Sequence, residues 1–212
     1  MNNNPLYVGR IAPDFHCGNK LDCGGKTLCF SKPSIMGVLN VTPDSFSDGG
    51  RYIDGDQLVV SHAVDAALVM VEQGAQIIDV GGESTRPGAA PVNVQQELDR
   101  VIPVVEALAA QTDAIISVDT SSGQVILEAA SKGAGLINDV RALSRDGALA
   151  AAKQTRLPIC LMHMQGLPAT MQIEPKYQDV SSEVTAYLLS RVEACIEAGI
   201  DKAQLLLDPG FG

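Results

Sequence analysis

Short apolar runs alternate with longer stretches whose apolar residues recur at helical spacing. The short runs, rich in β-branched residues, predict strands over Ile35–Asn40, Ile77–Val80, Ile115–Val118, Leu136–Val140, Pro158–Met162 and Leu205–Asp208. The stretches between them predict helices over Gln57–Glu72, Val94–Gln111, Gln124–Lys132, Ala148–Gln154 and Val180–Ala198. Gly74, Gly133 and Gly199 stand where glycine closes a helix. Pro103 lies inside the second helix and is expected to kink or split it. Residues 1–34 form a separate N-terminal segment, in which Gly24–Gly25 predicts a β-hairpin plugging one end of the body made by residues 35–212. The polar, Gly-rich stretch Thr42–Tyr52 is too long for a simple connector, as functional loops often are.

Strand and helix alternating in this way imply parallel strands joined by right-handed crossovers. Interior parallel strands are apolar on both faces, yet each run here ends in a polar residue. Asn40 ends the first, Asp79 sits in the second, and Asp119, Asn138 with Asp139, His163 and Asp208 close the others. A doubly wound sheet concentrates its site at a switch point, whereas a barrel draws functional groups from many strand ends. The pattern therefore predicts an α/β fold of the (β/α)8 TIM-barrel type, incomplete here, with about five βα units plus a sixth strand. An open sheet is the alternative; a fragment of a barrel is favoured.

The net charge of −10 argues against nucleic acid and anionic membranes as partners, since both call for basic footprints. An anionic substrate would need local help from a metal, a helix N-terminus or an arginine. Tryptophan is absent and aromatics make up 4%, so stacking is not the main recognition device. Cys17, Cys23 and Cys29 beside His16 invite a zinc reading, but the Gly24–Gly25 turn favours a hairpin whose small apolar residues are cysteines. Reduced thiols, no apolar leader and no spanning stretch predict a cytoplasmic protein.

Six stretches carry a resemblance. They are Met36–Gly50 (MGVLNVTPDSFSDGG), Ile77–Gly88 (IIDVGGESTRPG), Ser117–Ser121 (SVDTS), Ile137–Val140 (INDV), Cys160–Gly166 (CLMHMQG) and Leu205–Gly212 (LLLDPGFG). In this order they resemble the successive motifs of bacterial dihydropteroate synthases. The resemblance implies condensation of 6-hydroxymethyl-7,8-dihydropterin diphosphate with 4-aminobenzoate, giving 7,8-dihydropteroate and diphosphate in folate synthesis.

It also implies roles residue by residue. Asp208 would accept the 2-amino and N3 donors of the pterin as a bidentate carboxylate. Asp119 and Asn138 would meet the rest of the ring and Met162 would wall its face. Asn40 would associate with Mg²⁺, and Asn40 and Thr85 with the diphosphate. Phe46, Thr85, Arg86 and Pro87 would form the 4-aminobenzoate pocket, where sulfonamides compete, and Arg86, Thr85 and Asp119 would act in catalysis. Asp79 is expected in support, ordering Asn40 or the loops, and His163 is read as structural rather than as a base. The residues alone leave other readings open: Asp119 and Asp208 as helix caps, Asn40 as a turn residue, Arg86 as a surface ion-pair partner.

The family pattern continues past DPGFG with a lysine and a Ser-x-Arg-Lys segment, and it generally dimerises through C-terminal helices. Against that pattern the chain reads as lacking the last two strands. The alternatives are an inactive pterin-binding fragment and a pterin-dependent methyltransferase domain on the same barrel.

Overall fold

The computed structural model describes residues 20–42, 53–54, 57–58, 60–83, 92–166 and 174–211. The N-terminal hairpin pairs β1 (Lys20–Cys23) with β2 (Lys26–Cys29). Gly24 and Gly25 make its turn with φ of 66° and 89°, the left-handed pair that a two-residue hairpin loop needs. After β3 (Met36–Asn40), a short antiparallel pair joins β4 (Ile53–Asp54) to β5 (Gln57–Leu58), followed by α1 (Val60–Glu72). The chain continues through β6 (Ile77–Gly81), α2 (Val94–Ala109), β7 (Ile115–Asp119), α3 (Gly123–Ser131), β8 (Leu136–Asp139) and α4 (Ala148–Thr155). It ends with β9 (Ile159–Met162), α5 (Val180–Glu197) and β10 (Leu205–Asp208).

Six parallel strands form one sheet in the order β3-β6-β7-β8-β9-β10, each beside the strand that follows it among the six. A doubly wound sheet must reverse direction once; this one never does. The five α-helices among the described residues pack on a single face. Leu39, Ile78, Val80, Ile116, Val118, Ile137, Ile159 and Leu161 project toward them and are essentially fully buried. Both features belong to a barrel wall. The sheet edges, β3 and β10, leave Val38 57% and Leu207 48% exposed.

The opposite face is closed at the amino end of the strands by the hairpin. Leu21, Cys23 and Leu28 bury themselves against Ile77, Ile115 and Leu136, which begin β6, β7 and β8. Lys26 fastens the hairpin by donating to the carbonyls of Thr112 (3.0 Å) and Ala114 (2.8 Å). Cys23 is a buried free thiol pushed up to about 11, chiefly by burial, and is thus inert hydrophobic filling. Cys17 and His16 lie outside the described residues.

Two expectations need correction. Pro103 does not split α2, which runs unbroken from Val94 to Ala109. Pro103 and Asp99, whose carbonyl the proline leaves without its usual donor, are both on the exposed side where water can serve that carbonyl. A reciprocal cap holds the start of α2, Asn93 accepting from Gln96 N–H while the Gln96 side chain accepts from Asn93 N–H. The helix expected from Gln57 begins instead at Val60, because Gln57 and Leu58 pair back onto Ile53 and Asp54.

Candidate functional site

Successive residues of a strand face opposite ways, so the polar intruders in the six strands segregate by parity. On the helix-free face, Asn40, Gly81, Asp119, Asn138 and Cys160 lie side by side in one register row. Asp79 and Ser117 form part of the row below, while Met162 and Asp208 pair with each other above. This polar set occupies the carboxyl end of the strands, where barrel enzymes carry their sites, and the hairpin closes the other end.

Gly81 and Gly82 divide the labour of the GG step. A Cβ on Gly81 would lie 3.2 Å from Asp119 Oδ2 and 3.5 Å from Asn40 Oδ1, which places those two side chains on either side of it. A Cβ on Gly82 would point the other way, 2.7 Å from Val101 Cγ2 in α2. The first glycine leaves room in the site and the second lets the helix approach.

Asp79 is buried, and its Oδ2 accepts from Asn138 Nδ2 at 2.8 Å. Asp79 thus orders Asn138 rather than Asn40, and the loops that were the other expected partners lie largely outside the described residues. Asp79 is in register with Val38 and Ser117, one row beneath Asn40, whose own row partner is Gly81. Burial raises the Asp79 pKa, and the neighbouring Ser117 hydroxyl and Asn138 amide pull it back. Asp119 is held well above the ordinary carboxylate range by burial first and then by Asp79, Asp139, Glu97 and Glu83. It caps no helix: the residue before α3 is Ser122. Asp208 shapes its own turn, its Oδ1 accepting from Gly210 N–H at 2.7 Å, while its carbonyl accepts from His163 N–H. His163 is buried edge-on against Tyr187, with ring centroids 5.1 Å apart, in keeping with a structural role.

Of the other groups at the rim, Asp139 was legible as a polar strand end, whereas Arg141, Glu97 and Cys160 were not singled out from the sequence. Arg141 grips Glu83 through both terminal nitrogens (2.9 and 3.1 Å) and also donates to Ser121. Asp139 accepts from the Ser121 hydroxyl and from the backbone N–H groups of Arg141 and Leu143. Those bonds, with Arg191 donating to the carbonyls of Ala142 and Leu143, hold two consecutive non-glycine residues at positive φ. Glu97 is buried in α2 and accepts from Thr120 at 2.5 Å, tying that helix to the residue after Asp119. Its pKa is raised by burial, against the pull of Thr120. Cys160 is pushed up to about 12 by burial and by Asp208, Asp79 and Asp119. Its neighbours in register mark it as a wall of the site, a placement that spacing alone does not reveal.

The structure thus brings Asn40, Asp79, Asp119, Asn138, Met162 and Asp208 to one end and one face of the sheet. Phe46, Thr85, Arg86 and Pro87 lie outside the described residues. Among the described residues no cluster of three His, Cys, Asp or Glu side chains has the geometry of a metal centre, and no helix is long and apolar enough to cross a membrane.

Residues 36–212 match the family model described as pterin binding enzyme. The chain is 58% identical over 193 residues to the dihydropteroate synthase of Escherichia coli (strain K12), an alignment covering 91% of this chain and 67% of that protein. Among solved structures it is similar to the Yersinia pestis dihydropteroate synthase in a sulfonamide drug complex, at 54% identity and a TM-score of 0.85. That match covers 91% of this chain and 68% of the other. The Xanthomonas albilineans dihydropteroate synthase with 4-aminobenzoic acid is 50% identical, with a TM-score of 0.82 over 92% of this chain and 67% of that one. The chain spans about two thirds of the length of these relatives, consistent with the incomplete barrel wall. Sequence, family model and fold therefore agree that the chain belongs to the pterin-binding enzymes, within the dihydropteroate synthases.

Proposed function

We propose that the polar rim is the pterin-binding floor of a dihydropteroate synthase. In that reaction the amine of 4-aminobenzoate attacks the exocyclic methylene of 6-hydroxymethyl-7,8-dihydropterin diphosphate. A C–N bond forms, the C–O bond to diphosphate breaks, and the amine loses a proton. What carries the reading is the gathering of Asp119, Asn138, Met162 and Asp208 from four consecutive strands onto one face at one end. Asp208 offers a carboxylate to the two adjacent donors of the 2-amino-N3 edge. Asn138 both donates and accepts, Met162 lies against the ring, and Asp119 supplies a carboxyl poised by burial to hold or release a proton.

Mg²⁺ belongs to this proposal. Asn40 Oδ1, beside Gly81, is a hard oxygen donor that suits a largely hydrated magnesium ion, which needs few protein ligands. When bound, such an ion neutralises charge on the diphosphate. Thr85 and Arg86, with Phe46 and Pro87, are proposed for the diphosphate and the 4-aminobenzoate pocket; their support is the motif match. Sulfonamide competition at that pocket and a cytoplasmic location complete the reading.

Calorimetric titration with 6-hydroxymethyl-7,8-dihydropterin diphosphate and Mg²⁺ tests it. Asp208→Ala should weaken binding roughly 10- to 100-fold, the loss of a charge-assisted hydrogen-bonded pair. Unchanged affinity would remove Asp208 from the pterin site. Release of diphosphate on adding 4-aminobenzoate separates a synthase from a chain that only binds.

A further inference from the structure

We propose that Arg141 is a positioning residue for the pterin, and that Arg191 sets its direction by holding a strained turn. The inference rests on the pterin reading above.

Between β8 and α4, Ala142 (φ 48°) and Leu143 (φ 57°) are consecutive residues in the left-handed region. Neither is of a type that visits it readily, so the turn persists only because its surroundings over-determine it. Both residues are buried, and all four of their backbone polar groups are engaged. The N–H of Ala142 donates to the Asp139 carbonyl at 2.9 Å, and that of Leu143 to Asp139 Oδ2 at 2.8 Å. Arg191 reaches across from α5 to serve both carbonyls, Nε donating to Ala142 at 2.8 Å and a terminal nitrogen to Leu143 at 3.1 Å. Asp139 is fully buried, in register with Leu161 on the helix side of the sheet, and so does not face the site.

This turn sends Arg141 sideways across the strand ends. Its guanidinium meets Glu83, just past β6, at 2.9 and 3.1 Å, and Ser121, just past β7, at 2.9 Å. Its own N–H is fixed at the end of β8 by Asp139 Oδ1, and the Ser121 hydroxyl donates to that same oxygen, closing a ring of bonds. Three neighbouring strands are thereby fastened just beyond the row formed by Gly81, Asp119 and Asn138. A flat ring held by groups on separate strands needs those groups within about 0.5 Å of their productive places. The brace sets their spacing before the ligand arrives, so binding does not have to order them.

The test is calorimetric titration of the 212-residue chain with 6-hydroxymethyl-7,8-dihydropterin diphosphate and Mg²⁺, well below the melting temperature of each variant. Arg141→Met and Arg191→Met keep the aliphatic stems and remove the donors. Each should weaken binding roughly 2- to 10-fold, the worth of a side chain or two that the ligand must order for itself. Because Arg191 acts through Arg141, the double variant should bind no more weakly than Arg141→Met alone. Ala142→Gly removes strain that Arg191 opposes, so adding it to Arg191→Met should restore affinity to within about twofold of wild type. A role confined to packing would give additive losses and no rescue by glycine. If either methionine variant does not fold, lysine at that position takes its place, since it keeps the charge but lacks the fork that spans two acceptors. Wild-type affinity in either single variant, additive losses, or failure of the glycine to rescue overturns the inference alone. A wild type that does not bind the pterin diphosphate overturns the pterin reading and the inference with it.

Discussion

The adjacent glycines at the end of β6 offer a sharp test, because Gly81→Ala and Gly82→Ala add the same methyl group to opposite faces. At Gly82 the new carbon would stand 2.7 Å from Val101 Cγ2 and 3.1 Å from Glu97 Cγ. Ordinary carbon contacts are about 3.5–4.0 Å, so the wall of α2 must retreat by about an ångström. Val101 is fully buried and has no space to yield into. Overpacking of this kind costs about 1–3 kcal/mol. For a chain of this size that lowers Tm by about 2–12 °C. At Gly81 the closest contacts are 3.2 and 3.4 Å to Asp119 and 3.5 Å to Asn40, tight but to side chains at a partly open rim. Replacing a strand glycine by alanine recovers about 0.5–1 kcal/mol of chain entropy, which offsets much of that crowding. Gly81→Ala should therefore melt within a few degrees of wild type yet bind pterin diphosphate weakly, since its methyl intrudes between Asn40 and Asp119. Thermal melts by circular dichroism and calorimetric titration read the two effects separately. Equal loss of stability in both variants, or wild-type affinity in Gly81→Ala, would refute the assignment of faces.

Other consequences can be measured as directly. Asp119 has its pKa raised by folding, so between the ordinary carboxylate value and the raised one the native state holds more protons than the unfolded chain, and stability falls as pH rises. Asp119→Asn should accordingly melt above wild type at neutral pH and converge with it near pH ~4, while losing ligand affinity; a lower Tm across the whole range would contradict the linkage. Arg141→Ala strips Glu83 of its bidentate partner in a largely buried setting and should cost about 1–3 kcal/mol, read by urea denaturation. No change would mean the pair is dispensable. Gly135→Ala would place a Cβ 2.3 Å from the Cys23 carbonyl oxygen and should lift the hairpin off the strand ends, seen as faster amide exchange at Ile77, Ile115 and Leu136. The edge of β3, which pairs with no further strand among the described residues, should promote self-association in sedimentation, and Val38→Lys should reduce it.

Much of the wall was legible in the sequence because period-two and period-3.6 patterns report directly on strands and helices. All six strands of the main sheet and all five helices lie where those patterns put them, most ends differing by a residue or two. What remained hidden depends on register, which no local pattern encodes. Asp79 meets Asn138 across 59 residues, and Glu83 meets Arg141 across 58. Glu97 was invisible for a different reason: a glutamate in an amphipathic helix reads as solvent-facing, and only its bond to Thr120 explains its burial. Pro103 misled because a proline on the wet side of a helix displaces a carbonyl that water can satisfy.

The parity of the strands has an evolutionary corollary. In Ile116–Ser117–Val118–Asp119, cohesion and chemistry are interleaved one residue in two, so selection can rewrite the chemical positions while leaving the cohesive ones untouched. A wall built this way can acquire new recognition by small steps, none of which requires the helices to repack.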